Sequence, residues 1–397
     1  MTDALLRSAF SLPEGIIYLD GNSLGALPKV AAARVQRCLM EEWGERLIRG
    51  WNDSGWIDLA SGVGDKIAKL IGAPPGSVIA GDGTSVNLFK ALNAALDMAA
   101  KRETILSDIG NFPTDLYIAQ GVAQRRSGLS LKTVEPDKVA DALSDDVAVL
   151  MLTQVDYRTG RLHDMAALSE AAHELGIVTV WDLAHSAGAL PVDLMAARAD
   201  FAVGCGYKYL NGGPGAPGFI FVHPEHQAKI RPALSGWFGH EAPFAFDPDY
   251  RPAEGAERMK VGTPPILSLA ALDAALDLWE EVTIDEARAH SIRITSVFIE
   301  AVEAACADFG VRLASPRNAK RRGSQVSFRH EEGYAVVQAM IEQGVIGDFR
   351  SPDIMRFGFA PLYNSSDEAT EAASVMARVL SDRLWDEPRF RTRAKVT

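Results

Sequence analysis

The sequence contains little cysteine and no long apolar segment. Its three cysteines, Cys38, Cys205 and Cys306, are far apart and form no CxxC pair, so neither a disulfide framework nor a zinc site is predicted. No apolar run approaches the roughly 20 residues of a membrane-spanning helix. The first residues, MTDALLRSAFSLPEG, lack the apolar core of a signal peptide. These absences favour a cytoplasmic protein without a membrane span.

Basic residues are also in deficit. The chain has 40 lysines and arginines against 52 aspartates and glutamates, a formal net charge of −12, which argues against a nucleic-acid partner. Among the 8 histidines only His223 and His226 approach a ligand spacing, and they lie beside a proline in a predicted loop. No metal site is therefore predicted. The sequence also lacks a P-loop, a dinucleotide-binding fingerprint and a nucleophilic serine elbow.

The length of the chain predicts more than one domain. Its 397 residues exceed the size at which a single hydrophobic core usually keeps growing. Apolar residues make up 47% and charged residues 23%, which is typical of a globular protein. We expect an N-terminal arm that begins the small domain over 1–45, a large α/β domain over 46–275, and a small α+β domain over 276–397.

Between about residues 76 and 222, short apolar runs alternate with helical patterns. The spacing predicts helices over 86–100 and 164–176, and strands at 104–108, 147–156, 177–185, 201–206 and 218–224. This alternation indicates a mostly parallel sheet covered by helices on both faces. Beyond residue 269 the pattern changes to long helices, over 270–282 and 284–310, followed by strands at 324–330 and 354–360 and a helix near 333–343. This pattern of helices and strands favours a smaller α+β domain, against which we expect the N-terminal arm to pack.

A lysine stands at the end of one predicted strand, in the segment GYKYLNGGPGAPG at 206–218. Taken alone, Lys208 is most simply interpreted as a surface lysine. A lysine that forms a Schiff base must lose its proton, and it therefore needs burial or a tuned charge environment. Its surroundings in the sequence decide between these interpretations.

Three other segments place suitable groups at predicted strand ends. Asp182 ends a predicted strand, and parallel sheets bind ligands at their strand ends. Asp182 is therefore either a helix cap or the acid partner of a pyridine nitrogen. Thr84 and Ser85 start a helix after GDG, and they either cap it or bind an anion. Phe112 either belongs to the core or stacks on a flat ring. An amine, an acid, a phosphate cradle and a ring stacker together favour a pyridoxal-phosphate enzyme of the aspartate aminotransferase fold.

The sequence also resembles the kynureninase family over nearly its whole length. The resemblance depends on the number and order of its motifs, since any one of them is modest. They are YLDGNSLGALP (18–28), TSVNLFK (84–90), NFPTDLY (111–117), DLAHSAGA (182–189), GYKYLNGGPGAPGF (206–219), GWFGH (236–240), GTPPILSL (262–269) and RFGFAPLYNS (356–365).

The resemblance implies roles for the residues at matching positions. Those implied for pyridoxal 5′-phosphate are Lys208 as covalent anchor, Asp182 at the ring nitrogen, His185 and Asp115 near the ring, Phe112 stacked on it, and Thr84, Ser85 and Tyr207 at the phosphate. Trp237 and Thr263 would reach the phosphate from the neighbouring subunit, which implies a homodimer with shared sites. Tyr207 would also act as a general acid. Arg356 would bind the substrate carboxylate, and Asn22 and Ser23 would line the substrate side.

The implied activity is hydrolysis of the Cβ–Cγ bond of L-kynurenine, and of its 3-hydroxy form, to the anthranilate and L-alanine. Two alternatives on the same fold are a cysteine desulfurase and an aminotransferase. A desulfurase needs a mobile nucleophilic cysteine, and none of the three cysteines is well placed for this. A non-catalytic binding protein is disfavoured because lysine, aspartate and arginine are all present.

Overall fold

A computed structural model describes residues 3–99 and 102–393 of the chain. Position 100, the end of one predicted helix, and the outermost residues of the first and last predicted domains lie outside these ranges. The main feature is a seven-stranded sheet. In spatial order the strands are Val78–Ala80, Gly218–Val222, Phe201–Cys205, Val178–Asp182, Val147–Thr153, Thr104–Asp108 and Ser130–Val134. Gly218–Val222 runs antiparallel to both of its neighbours, and the other strands share one direction. The predicted α/β fold with a mostly parallel sheet is confirmed.

The central strands are apolar because both faces of the sheet are covered. Every residue of Val147–Thr153 is buried, as expected for a strand between two helical layers. In the next strand, Trp181 packs into one core while Val178 and Val180 pack into the other. The helices interleaved with these strands are Leu59–Leu70, Thr84–Met98, Pro113–Ala123 and Met165–Glu174. The other α-helices are Lys29–Arg37, Gly50–Asp53, Pro224–Gln227, Ile266–Asp277, Ile284–Ala305, Gly333–Glu342, Ser366–Ser381 and Pro388–Arg391.

A second, antiparallel sheet lies in the C-terminal part of the chain. In spatial order its strands are Arg312–Leu313, Gln325–Arg329, Ile354–Gly358 and Asp348–Arg350. It packs around Phe298 of the long helix, whose ring centroid lies 5.1 Å from those of both Phe357 and Phe359. The two middle strands correspond to those predicted at 324–330 and 354–360, whereas the two edge strands are not predicted. The alternating charges of Asp348–Arg350 resemble those of a solvated loop.

The N-terminal segment joins this smaller part of the molecule. Ile17–Tyr18 pairs in parallel with Val345–Ile346, while Phe10–Ser11 pairs antiparallel with Leu27–Pro28. The domain limits at residues 45 and 275 stay a proposal. The helix Ile266–Asp277 continues past 275 and contributes Leu269, Leu272 and Leu276 to the core of the large sheet.

Two negative findings apply to residues 3–99 and 102–393. None of the helices there has the length and apolar character that a membrane crossing requires. In the same ranges, no group of three or more histidine, cysteine, aspartate and glutamate side chains has the arrangement of a metal site.

Candidate active site

The carboxyl ends of the central parallel strands bring four predicted side chains together. Lys208, three residues beyond its strand, places Nζ 3.2 Å from Nε2 of His185. The same Nζ lies 5.9 Å from the ring centroid of Phe112 and 5.8 Å from that of Tyr207. Phe112 keeps 39% of its surface exposed. An amine surrounded by rings at a sheet edge, one of them partly exposed, is suited to a flat carbonyl compound.

Two carboxyl groups lie buried beside this lysine. Asp182 accepts a hydrogen bond from the backbone N–H of Ala184 at 2.8 Å, and Thr153 donates to Asp115 at 3.3 Å. Burial and then the charge of Asp182 raise the pKa of Asp115 well above its usual range. Burial also raises the pKa of Asp182, but the Lys208 ammonium opposes this shift. Asp115 therefore retains a proton more readily, and Asp182 carries the negative charge.

The other titratable groups near the lysine are neutral. Burial, followed by the charges of Lys208 and Arg356, lowers the pKa of His185 well below its ordinary value. Burial raises the pKa of the Tyr207 phenol. His185 can therefore accept a hydrogen bond from the lysine, and Tyr207 keeps a proton that it can donate.

The start of the helix Thr84–Met98 forms an open anion cradle. Among the described residues no side chain caps this end, since Gly83 occupies the N-cap position and Thr84 donates instead to the carbonyl of Gly204 at 3.1 Å. A Cβ atom added at Gly81 or Gly83 would meet nothing within 4 Å. Ser85 is half-buried in the first turn. Free N–H groups and open space at a helix N-terminus favour a bound phosphate.

Arg356 lies on the small sheet and is 2% exposed. Its Nε donates to Oδ1 of Asp348 at 2.8 Å, its Nη1 to the carbonyl of Tyr157 at 2.6 Å, and its Nη2 to Ser23 at 2.7 Å. The neighbours of Asn22 favour the orientation in which its amide nitrogen donates to Asp20 at 3.3 Å. In that orientation its amide oxygen accepts from Arg356 Nε at 3.1 Å. The structure thus brings Asn22, Ser23 and Arg356 together.

The segment GNSLG links the two sheets. The N–H of Gly25 donates to the carbonyl of Tyr207 at 2.7 Å, and a Cβ on Gly25 would lie 2.4 Å from the carbonyl oxygen of Lys208. On the other side, a Cβ on Gly358 would overlap the side chain of Asn22, 1.8 Å from its Oδ1. Glycine is needed at both positions for this close approach. The arm therefore lies between the lysine and the arginine.

Two further predicted residues, Thr263 and Trp237, make none of the side-chain hydrogen bonds described above. Thr263 lines a cavity of about 40 Å³ together with Gly81 and Asp82 of the same chain. Trp237 is 41% exposed, and its ring centroid lies 5.6 Å from that of Phe244. The resemblance implies that both residues serve the phosphate site of the neighbouring subunit, and this stays a prediction.

Sequence reasoning missed four residues of the arginine site. Asp20 contributes a carboxyl group that accepts from Asn22, Tyr157 contributes a backbone carbonyl, and Asp348 and Arg350 form an ion pair with a 2.6 Å contact. Asp348 and Arg350 stand two residues apart, shortly before the RFGF motif. On a strand this spacing places both side chains on one face, but the strand itself is not indicated by the sequence, so the nearby RFGF motif is the only available signal for these two residues.

Comparison with known proteins places the chain among established relatives. A family model described as "Kynureninase C-terminal domain" matches residues 287–376. Curated proteins named "Kynureninase" include one from Pseudomonas fluorescens, 50% identical over 99% of this chain and 96% of its own length. Another, from Burkholderia pseudomallei (strain K96243), is 48% identical with the same coverage.

Solved structures agree on the fold. A cysteine desulfurase from Thermococcus onnurineus NA1 matches with a TM-score of 0.80 at 20% identity, covering 95% of this chain and 98% of that one. A mutant of C-DES with glycine covalently linked to its PLP cofactor also matches with a TM-score of 0.80 at 20% identity, covering 94% and 98%. These likenesses show the fold alone, and they confirm the predicted fold class. With half of its residues identical over nearly its whole length, the chain belongs to the kynureninase family.

Proposed function

We propose that this chain is a kynureninase, a pyridoxal-phosphate-dependent hydrolase acting on a carbon–carbon bond. It cleaves the Cβ–Cγ bond of L-kynurenine with water to give anthranilate and L-alanine, and converts 3-hydroxykynurenine to 3-hydroxyanthranilate. The observation that carries the proposal is 50% identity to a kynureninase over 99% of the chain. Such coverage includes every segment of the candidate site, so the match is not limited to the fold.

The residues at the site fit pyridoxal 5′-phosphate. The uncapped helix start and the open space at Gly81 and Gly83 can hold its phosphate. Phe112 offers an aromatic face, and Asp182 offers a buried carboxylate to a protonated ring nitrogen. Lys208 provides the amine that holds the cofactor covalently.

The chemistry divides between the cofactor and the chain. Pyridoxal phosphate, when bound, supplies an electron sink for negative charge at the substrate α-carbon. Nζ of Lys208, which lies 3.2 Å from Nε2 of His185, would carry the substrate α-proton. Tyr207 retains its phenolic proton and acts as a general acid, a contribution worth about a hundredfold or more. Arg356 binds the substrate α-carboxylate, with Asn22 and Ser23 beside it.

A cysteine desulfurase is the less favoured alternative despite the fold likeness. Cys38, Cys205 and Cys306 are buried, with at most 3% of their surface exposed. Burial raises the pKa of each thiol, which opposes formation of the thiolate nucleophile. The same three unpaired cysteines support a cytoplasmic location.

The test of activity uses the cofactor-loaded protein and L-kynurenine without any keto acid. We expect equal amounts of anthranilate, followed by its fluorescence, and of L-alanine. In Lys208→Ala we expect the rate to fall by more than about a thousandfold and the visible absorbance of the lysine-bound cofactor to disappear. Lys66→Ala is a matched control because Lys66 pairs with Asp273 and Asp277 at the surface.

A parent protein that binds cofactor but forms no anthranilate would refute the proposal, and a need for a keto acid would indicate an aminotransferase. Parallel kcat/KM values for kynurenine and its 3-hydroxy form determine the preferred substrate.

We also propose a homodimer in which Trp237 and Thr263 serve the neighbouring site. Trp237, Phe244 and Phe246 form an exposed aromatic group, and Phe246 is 77% exposed. Several apolar side chains of the segment 27–48 are exposed as well, among them Ile48 at 77%. Exposed apolar surface of this extent is typical of an interface.

Mixing two inactive variants tests shared sites. Lys208→Ala and Trp237→Ala proteins, combined in equal amounts, should form hybrid dimers in which one of the two sites is intact. Random exchange should restore about a quarter of the parent activity. Absence of rescue after subunit exchange has been verified with labelled chains would show that each site is built from one subunit.

A further inference from the structure

Two arginines approach one buried carboxylate on the small sheet. Asp348, with its side chain 1% exposed, accepts from Nε and Nη2 of Arg356. Nη2 of Arg350 lies 2.6 Å from Oδ2 of Asp348, the oxygen that also accepts from Nη2 of Arg356. Both Nη2 groups also approach Oγ of Ser23, at 2.7 Å for Arg356 and 3.5 Å for Arg350. The two guanidinium groups therefore converge on one small region.

This arrangement carries more positive charge than one aspartate can balance. Asp20 is the nearby carboxyl group, but burial and the charge of Asp348 raise its pKa to about 7. Near neutral pH much of Asp20 is consequently uncharged. Repulsion by Arg356 contributes to a lowered pKa of Arg350, after burial. An additional anion would relieve this repulsion.

The region faces the candidate site. Lys208, Arg356 and Arg350 are the charged groups that, after burial, lower the pKa of His185, so the field of Arg350 reaches the lysine's own neighbour. The carbonyl that accepts from Arg356 belongs to Tyr157, whose ring centroid is 5.1 Å from that of Phe112. Tyr157 thus connects the arginines to Phe112, one of the rings around Lys208.

We propose that Arg350 is a second substrate-binding arginine, which shares the α-carboxylate of the amino-acid substrate with Arg356. Asp348 is the positioning residue that holds the two guanidinium groups at a separation that one carboxylate can bridge. The inference rests on the proposed function, since it assigns the anion as the carboxylate of that substrate. A second arginine suits this task because Arg356 already donates to Asp348, Tyr157 and Ser23, whereas two guanidinium groups together can offer a carboxylate more than one N–H donor.

The alternative is that Arg350 only stabilises the edge strand through its ion pair. Arg329 provides a matched control for this alternative. It lies on the same small sheet and binds a single carboxylate, Asp353, through two contacts of 2.8 and 3.0 Å. A purely structural role would give Arg350→Gln and Arg329→Gln similar, small effects on ligand binding.

The experiment titrates cofactor-loaded protein with L-alanine and follows the change in the cofactor's visible absorbance. L-alanine presents the amine and carboxylate without the aryl group, so its binding can be measured whether or not kynurenine is cleaved. We expect Arg350→Gln to weaken L-alanine binding about tenfold or more, Arg350→Lys to recover part of the loss, and Arg329→Gln to match the parent. Unchanged L-alanine affinity in Arg350→Gln, with normal cofactor absorbance, would overturn the proposal.

The positioning role of Asp348 needs a variant that keeps its charge. Asp348→Glu retains the carboxylate but moves it by one methylene group, so both guanidinium groups are displaced. We expect KM for L-kynurenine and the L-alanine dissociation constant to rise together by about tenfold, with a smaller change in kcat. Cofactor content and the thermal unfolding midpoint identify any general loss of structure. Parent-like affinity in a folded Asp348→Glu protein would refute the positioning role.

Discussion

The two buried clusters of titratable groups beside the site differ in which type of group is in excess. At the large sheet, Asp115 and Asp182 share the ammonium of Lys208, and the pKa of each carboxyl group is raised. At the small sheet, Arg350 and Arg356 share the carboxylate of Asp348. One cluster therefore has a surplus of acid and the other a surplus of guanidinium. The first is suited to a cationic ring and the second to an anionic substrate group.

The topology of each sheet explains this difference. In the parallel sheet, Asp182 ends its strand and, within the part of the chain that the structure describes, has no cross-strand counter-ion at that edge, so its charge is available to a ligand. In the antiparallel sheet, Asp348 stands directly opposite Arg356 in the strand register. That cross-strand pair fixes the orientation of the Arg356 side chain. The proposed cofactor end is thus left without a cross-strand counter-ion among the described residues, while the proposed substrate end is pre-organised.

The largest expected effect distinguishes the roles of Asp115 and Asp182, the two carboxyl groups of the acidic cluster. Asparagine resembles a protonated aspartate, so it should replace Asp115 with little loss but should not replace an ionised Asp182. Loss of a buried charge partner costs about 3 kcal/mol, and we expect kcat of Asp182→Asn to fall roughly a hundredfold. For Asp115→Asn we expect a change of less than about fivefold, which corresponds to one neutral hydrogen bond. Steady-state kinetics of kynurenine cleavage measures both.

Cofactor content must be determined in both variants, so that slow turnover is not confused with an empty site. Equal losses in the two variants would mean that the carboxyl groups share one charge without a preferred carrier. A larger loss in Asp115→Asn would reverse the assignment made from their surroundings.

How much of this could be predicted from the sequence depends on the range of the interactions involved. The strand ends that carry Asp182 and Lys208 follow from local apolar patterns, because parallel strands must end at one edge. The arginine cluster depends on contacts between distant segments, such as Ser23 with Arg356. No local pattern encodes that pairing. Even with motifs that identify Arg356, the short charged segment that contains Asp348 and Arg350 carries no apolar pattern that would predict a strand.

A smaller effect tests, through Ser23, the cluster in which Arg350 and Arg356 share Asp348. Its hydroxyl accepts from Arg356 at 2.7 Å and donates to Asp348 at 3.0 Å. Ser23→Ala removes one neutral partner while both arginines keep their ion pairs, so we expect KM for L-kynurenine to rise about fivefold with little change in kcat. Ser268→Ala, whose exposed hydroxyl bonds only the carbonyl of Pro265 among the described contacts, is the control. A fall in kcat without a change in KM would place Ser23 in the chemical step instead.

The smallest expected effect is a gain in stability at the acidic cluster. The folded-state pKa of Asp115 lies above its unfolded value of about 3.9. Below that pH both states are protonated and no penalty arises. As the pH rises, the unfolded chain releases the proton first, so the free energy of unfolding of the parent decreases until the folded-state pKa is passed. An asparagine at this position cannot ionise and avoids this loss.

Cofactor-free Asp115→Asn should therefore melt at nearly the parent temperature at pH 4 and about 1–2 °C above it at pH 8. Calorimetry across this range checks the sign. A difference that is constant with pH, or one that favours the parent at pH 8, would show that Asp115 is ionised in the folded protein and that the surplus of acid is compensated within the chain.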